Sequence, residues 1–394
     1  MESAANCDPA VTNYTSSTSP LPGTSSNDVQ PAATLDRDGH PQRIAGGDET
    51  AASALRKPCG FSCGLVPGRD FAQACEVVLH ETGTMPTVPL PIARPRIGDE
   101  IGRTSAQLEG IVLDPQVRAW TMQARPTIAS RRTQDLWQRD LDSLQAVVDD
   151  AHQPPPLINL AVRGPVSLAA AVELPNGHRV MTDPRATSDL AESLIVGLHH
   201  TSAELASRIG APVAIQFNEP ALGAIIAGTV QGTSDFDTIA ARHPERIASF
   251  LQRCISLLKQ APAIAQISIN AVHSPPEPII AAALQPHNVV HILRLPDTDS
   301  APELLDRYAN LIDVGAQVAW ALPLQACDNP RDTAITIARL VRKLGVSDQR
   351  QAQGWWCTDH SDIAAQLSSP AELAPILHNV DTTAAILLRD ATDL

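Results

Sequence analysis

Residues 215–222 read Ile-Gln-Phe-Asn-Glu-Pro-Ala-Leu, an apolar run that ends in an amide, a carboxylate and a proline. The segment 213–217 has the length and apolar character of a buried parallel strand, and Pro220 stops it because proline has no backbone donor. Asn218 and Glu219 therefore stand at the carboxyl end of a strand, where barrel enzymes carry their working side chains. Arg163-Gly164-Pro165, after a strand expected over 157–162, repeats the arrangement. A carboxylate at such a position can bind a substrate, or it can accept hydrogen bonds from backbone amides and serve only the fold. Cys357-Thr358-Asp359-His360 has C-x-x-H spacing. Cys357 and His360 can share a metal, or they can be a small buried hydrophobe and a solvated loop histidine. Cys59 and Cys63 form a C-x-x-x-C pair with no second pair, which does not make a zinc ribbon.

These residues need strands and helices to position them, and the chain alternates the two. Strands are expected over 61–66, 157–162, 213–217, 264–272, 289–295, 317–322 and 354–357. Helices are expected over 70–81, 131–150, 188–209, 244–259, 302–314, 332–344 and 370–388, with apolar residues at helical spacing. Residues 85–95 carry Pro86, Pro89, Pro91 and Pro95, so this connection must be extended and irregular. Strict alternation implies parallel strands with right-handed crossovers. A doubly wound open sheet competes with a closed barrel, but no Gly-rich phosphate fingerprint follows any strand. The expectation is a (β/α)8 TIM barrel over 58–394, with an insertion around 85–156. Residues 1–57 are polar and small, bury too little apolar surface to offset ordering, and are expected to be a disordered extension.

The two strand-end segments together resemble the catalytic C-terminal barrel of cobalamin-independent methionine synthase, whose motifs read roughly Gln-Ile-Asp-Glu-Pro-Ala and Gly-Pro-Val-Thr. The resemblance runs from about Gly60 to the last helix. It implies methyl transfer from a methylated folate to a homocysteine-type thiol, with zinc holding the sulfur as a thiolate. It also implies substrate contacts at Gly64, Gly164, Asn218 and Glu219, and zinc ligands at His273 and Cys357. The family's His-x-Cys pair reads His273-Ser274-Pro275 here, and Pro275 cannot ligate a metal. No Glu ends the next strand, so Asp297 or His360 would have to complete the set. Asn218 replaces the Asp that pairs with the substrate ammonium in the family, and Leu65 replaces a Ser that helps hold the amino acid. His273 reads equally as a hydrogen-bonded residue at a barrel rim.

Composition narrows the partners. Of the 394 residues 43% are hydrophobic, ample for a large core, and the net charge of −14 argues against nucleic acid and anionic membranes. No run approaches the roughly 20 apolar residues of a spanning helix, and the first residues lack a basic region followed by an apolar one, so no secretory signal is expected. Seven cysteines at irregular spacing make no disulfide framework, and a cytoplasmic location is expected. Two readings follow: a methyltransferase of the methionine-synthase type with its activity weakened or lost, or a non-catalytic barrel that binds a small molecule or a partner. Barrels of the uroporphyrinogen decarboxylase type, which need no metal, are a third, although their Arg-rich N-terminal loop is not evident here.

Overall fold

The computed structural model describes residues 59–233, 237–296, 300–347, 354–359, 363–390 and 392–394. The extension expected over 1–57 lies outside the described residues, as do Asp297 and His360. In chain order the first strands are β1 (Cys59–Phe61), β2 (Leu65–Val66), β3 (Leu90–Pro91), β4 (Val112–Pro115), β5 (Trp120–Gln123) and β6 (Ile158–Arg163). They are followed by β7 (Val172–Glu173), β8 (Val213–Asn218), β9 (Ile264–Asn270), β10 (Val290–Arg294), β11 (Gln317–Leu322) and β12 (Trp355–Thr358). Seven of them pair in parallel in the order β1-β12-β11-β10-β9-β8-β6.

Helices cover the outside of this curled sheet. The first six are α1 (Phe71–Glu81), α2 (Glu100–Ser105), α3 (Ile128–Asp150), α4 (Pro165–Ala171), α5 (Pro184–Ile209) and α6 (Leu222–Ala227). The rest are α7 (Pro244–Leu258), α8 (Pro278–Leu284), α9 (Pro302–Asp313), α10 (Pro330–Lys343), α11 (Ile363–Gln366) and α12 (Pro370–Asp390). Side chains alternate across the strands. Ile158, Leu160 and Val162 of β6, with Val213, Ile215 and Phe217 of β8, join the helix-side core. Leu157, Ala214, Val290, Ile292, Ala319, Ala321, Trp355 and Cys357 meet Phe61 and Cys63 in a second cluster inside the curl. Both faces are buried, which is why these strands read as continuous apolar runs.

An open doubly wound sheet would leave its two edges apart. Here the proline-rich segment joins them. The Val88 amide donates to the Asn159 carbonyl (2.8 Å) on the β6 side, and the Leu90 and Ile92 amides donate to Gly64 and Val66 (2.7 and 3.0 Å) on the β1 side. Pro89 and Pro91 have no donor to offer β6, so the link there narrows to a single parallel bridge, Thr87 to Asn159. Arg103 of α2 compensates: its buried guanidinium donates to the carbonyls of Val88 and Pro89. The architecture is TIM-barrel-like, with the connection expected to be irregular placed between the two sheet edges.

Two helices start earlier than hydrophobic spacing suggests, and capping explains both. Asp183 accepts from the Arg185 and Ala186 amides and Pro184 stands at the first helical position, so α5 begins four residues ahead of its apolar stripe. Thr127 and Ser130 cap each other's amides at the start of α3.

His291 of β10 is fully buried, and its Nδ1 has no partner. Desolvation lowers its pKa from 6.5 to about 4. The folded pKa lies below the unfolded one, so the stability carried by the neutral ring is complete above pH 6.5 and is lost as the pH falls toward 4. Urea titrations of His291→Leu and the parent chain should diverge in the variant's favour across this window, by up to roughly 3 kcal/mol. A pH-independent difference would contradict this account of the buried ring.

Candidate functional site

Glu219 follows β8 and is 2% exposed. Its Oε1 accepts from the Val166 amide (3.0 Å) and its Oε2 from the Ser167 amide (2.7 Å), so the carboxylate covers the first turn of α4. Gly164 is a glycine for this reason: a Cβ there would run into the Glu219 carboxylate. Burial pushes the Glu219 carboxyl up to about 7, opposed by the Ser167 hydroxyl, the two amides and the Arg163 charge. The sequence motifs Gly164-Pro165 and Glu219-Pro220 are thus the two halves of one contact between neighbouring strand ends.

Asn218 faces a different group. Its Nδ2 donates to Glu100 Oε1 (2.7 Å), and its Oδ1 accepts from Gln216 Nε2 (2.8 Å). The other oxygen of Glu100 pairs with Arg163 Nη2 at 2.7 Å, with side chains 15% and 20% exposed. Thr104, also on α2, accepts the Arg163 amide (2.9 Å), which fixes the helix against the end of β6. A carboxylate from the insertion therefore reaches the strand-end amide and the strand-end arginine together. The Arg163 Nε is buried and has no partner.

Below this group the interior is polar on one side. Gln216 Nε2 also donates to the Cys63 carbonyl (2.9 Å), while Asn159 Nδ2 donates to Gln216 Oε1 (3.1 Å) and Thr87 Oγ1 (3.0 Å). Gly64 takes φ +108°, a conformation that disfavours any side chain, and its carbonyl accepts from Leu90. Across the opening Arg294 Nε pairs with the buried Asp359 at 3.1 Å. Sequence reasoning named Arg163 only as a motif flank and missed Glu100, Gln216 and the Arg294–Asp359 pair. The inward phase of β8 held a signal for Gln216; nothing local marks Glu100.

The expected metal ligands fall as follows. His273 is exposed in the turn after β9, and the Pro275 carbonyl near it accepts from Arg307. Cys357 is fully buried in β12, with its sulfur 3.1 Å from that of Cys63. Asp297 and His360 lie outside the described residues. Zinc needs three or four protein ligands converging on one point. Among the described residues no group of three or more His, Cys, Asp or Glu side chains could hold a metal ion. The described donors do not fit zinc. The structure does connect Asn218 to Cys357, through Gln216 and Cys63.

Comparison with known proteins supports the fold. No family model matches the chain, and no curated protein does. Among solved structures it is similar to a B12-independent methionine synthase from Shewanella sp. W3-18-1 in complex with selenomethionine, with a TM-score of 0.53 and 12% identity. The match covers 86% of this chain and 99% of that one, so the likeness extends over almost the whole of that chain. At this identity the likeness supports the fold alone, a TIM-barrel-like architecture. No helix among the described residues is long and apolar enough to cross a membrane.

The Glu219 contact predicts a stability coupling. Gly164→Ala should cost about 1–3 kcal/mol in denaturant titration, the usual range for overpacking. Adding Glu219→Ala should cost less in that background than in the parent, because the clash goes with the carboxylate. Strict additivity would show that the two residues do not meet.

Proposed function

We propose that this chain is a methionine-synthase-like barrel that binds an amino acid of the methionine or homocysteine class at its mouth, with methyl transfer weakened or lost. The observation that carries the reading is the Glu100 carboxylate held between Asn218 and Arg163, each at 2.7 Å. The resemblance assigns an Asp at position 218 to the substrate ammonium, and Asn218 has no charge for that task. Glu100 restores a negative charge next to the same position, and Arg163 adds the positive one. An amino-acid zwitterion presents the complementary pair, its ammonium to Glu100 and its carboxylate to Arg163. Asn218 then orients Glu100, while Glu219 and Gly164 hold the strand ends that carry the pair. Gly64 keeps the backbone beside the polar interior free of a side chain.

Thiol activation is a separate requirement. A thiol becomes a strong nucleophile at neutral pH when a metal or a base takes its proton. The exposed His273 and the buried Cys357, already against another thiol, support a reading in which ligand binding persists without efficient methyl transfer.

Calorimetric titration of methionine into the full chain after chelator treatment tests the reading. Binding should be retained without zinc and fall at least tenfold in Glu100→Gln. The deaminated analogue 4-(methylthio)butyrate should bind at least tenfold more weakly than methionine to the parent chain and gain nothing from Glu100. Binding that requires one equivalent of zinc, or that is indifferent to Glu100, would overturn it.

A further inference from the structure

We propose that Cys63 and Cys357 are a peroxide-sensitive dithiol that closes to a disulfide across the seam between the first and last strands of the barrel. Their sulfurs lie 3.1 Å apart, in direct contact, although the residues are 294 positions apart in sequence. Cys357 sits in β12, whose ladder with β1 pairs it with Phe61, and Cys63 follows two residues beyond that partner. Both side chains belong to the cluster inside the barrel. Cys75, Cys254 and Cys327 are also buried free cysteines. Two thiolates on one tetrahedral zinc would stand about 3.8 Å apart, given zinc–sulfur bonds of about 2.3 Å. The observed separation is shorter than that, and a shift of about 1 Å brings the sulfurs to bonding distance.

The chemistry needs an oxidant small enough to enter the barrel mouth, and hydrogen peroxide meets that requirement. Cys63, 3% exposed and past the end of β1, is oxidised before Cys357, which is fully buried within its strand. The Cys63 sulfur attacks one peroxide oxygen and the O–O bond breaks. Cys63 becomes a sulfenic acid, and its thiol proton leaves with the other oxygen as water. The Cys357 sulfur then attacks the Cys63 sulfur, the S–S bond forms and the S–O bond breaks. The departing hydroxide takes the Cys357 proton and leaves as a second water. Two thiols are oxidised by two electrons, and one peroxide is reduced to two waters. The product staples the barrel at its seam, and a dithiol reductant reverses it.

The test is peptide mapping of the folded, full-length chain after exposure to hydrogen peroxide. Remaining thiols are alkylated on unfolding, and the digest is analysed without reductant. The expected result is joint loss of alkylation at Cys63 and Cys357, with their peptides linked and two hydrogens lighter, and recovery of both on adding dithiothreitol. Cys75, Cys254 and Cys327 should stay alkylated. In Cys357→Ser the same treatment should drive Cys63 to sulfinic acid, because the resolving thiol is gone. The proposal is overturned if both thiols of the parent chain are still alkylated at doses that oxidise its methionines. It is equally overturned if Cys63 reaches the sulfinic acid in the parent chain without ever linking to Cys357. Mapping of the parent chain decides the matter even if the serine variant does not fold.

Discussion

The Glu100 carboxylate is the contact on which the barrel mouth depends. Its oxygens hold Asn218 of β8 and Arg163 of β6, so one side chain from the insertion ties α2 to two neighbouring strand ends. Two unit charges about 4 Å apart attract by about 4 kcal/mol at an effective dielectric near 20, while desolvating each ion costs several kcal/mol. The pair is therefore close to neutral for stability. Its consequence is positional: two opposite charges are fixed and partly desolvated at the ends of β6 and β8. The proposed zwitterion would meet charges that are already partly dehydrated, which favours binding over what exposed side chains would give.

The insertion makes this arrangement possible. Arg103 and Thr104 of α2 bond to Val88, Pro89 and Arg163, so the helix that presents Glu100 also covers carbonyls of the proline-rich segment between the sheet edges. Closure of the fold and placement of the charge thus share one short helix. Glu219 works beneath it with both oxygens on backbone amides, its carboxyl raised to about 7 by burial. Such a group costs stability when ionised, and its contribution falls as the pH rises from 4.5 to about 7, the reverse of His291.

Much of the barrel was legible in the sequence because its strands are buried on both faces and its long helices carry regular apolar stripes. The strand ends at Arg163 and Asn218 could be read from the prolines that follow them. The short elements were not legible. The hairpin of β4 and β5, and the six-residue α2, lack the length for a periodic signal, and tertiary contacts hold them. Glu100 could not be found for the same reason: its partners lie 63 and 118 residues away. Cys357 was visible as a strand-end cysteine and Cys63 as half of a C-x-x-x-C pair, but their contact follows only from the pairing of β1 with β12. Glu219 had two readings in sequence, ligand contact or amide acceptor, and its hydrogen bonds are those of the second.

The account rests on an amino acid bound by the Glu100–Arg163 pair without metal. The most direct measurement is a crystal structure of the chelator-treated protein soaked with selenomethionine, with anomalous scattering locating the selenium. The account predicts a ligand at the barrel mouth, its ammonium within hydrogen-bonding distance of Glu100 and its carboxylate against Arg163. A selenium peak elsewhere, or one that appears at the mouth only after zinc is restored, would contradict it.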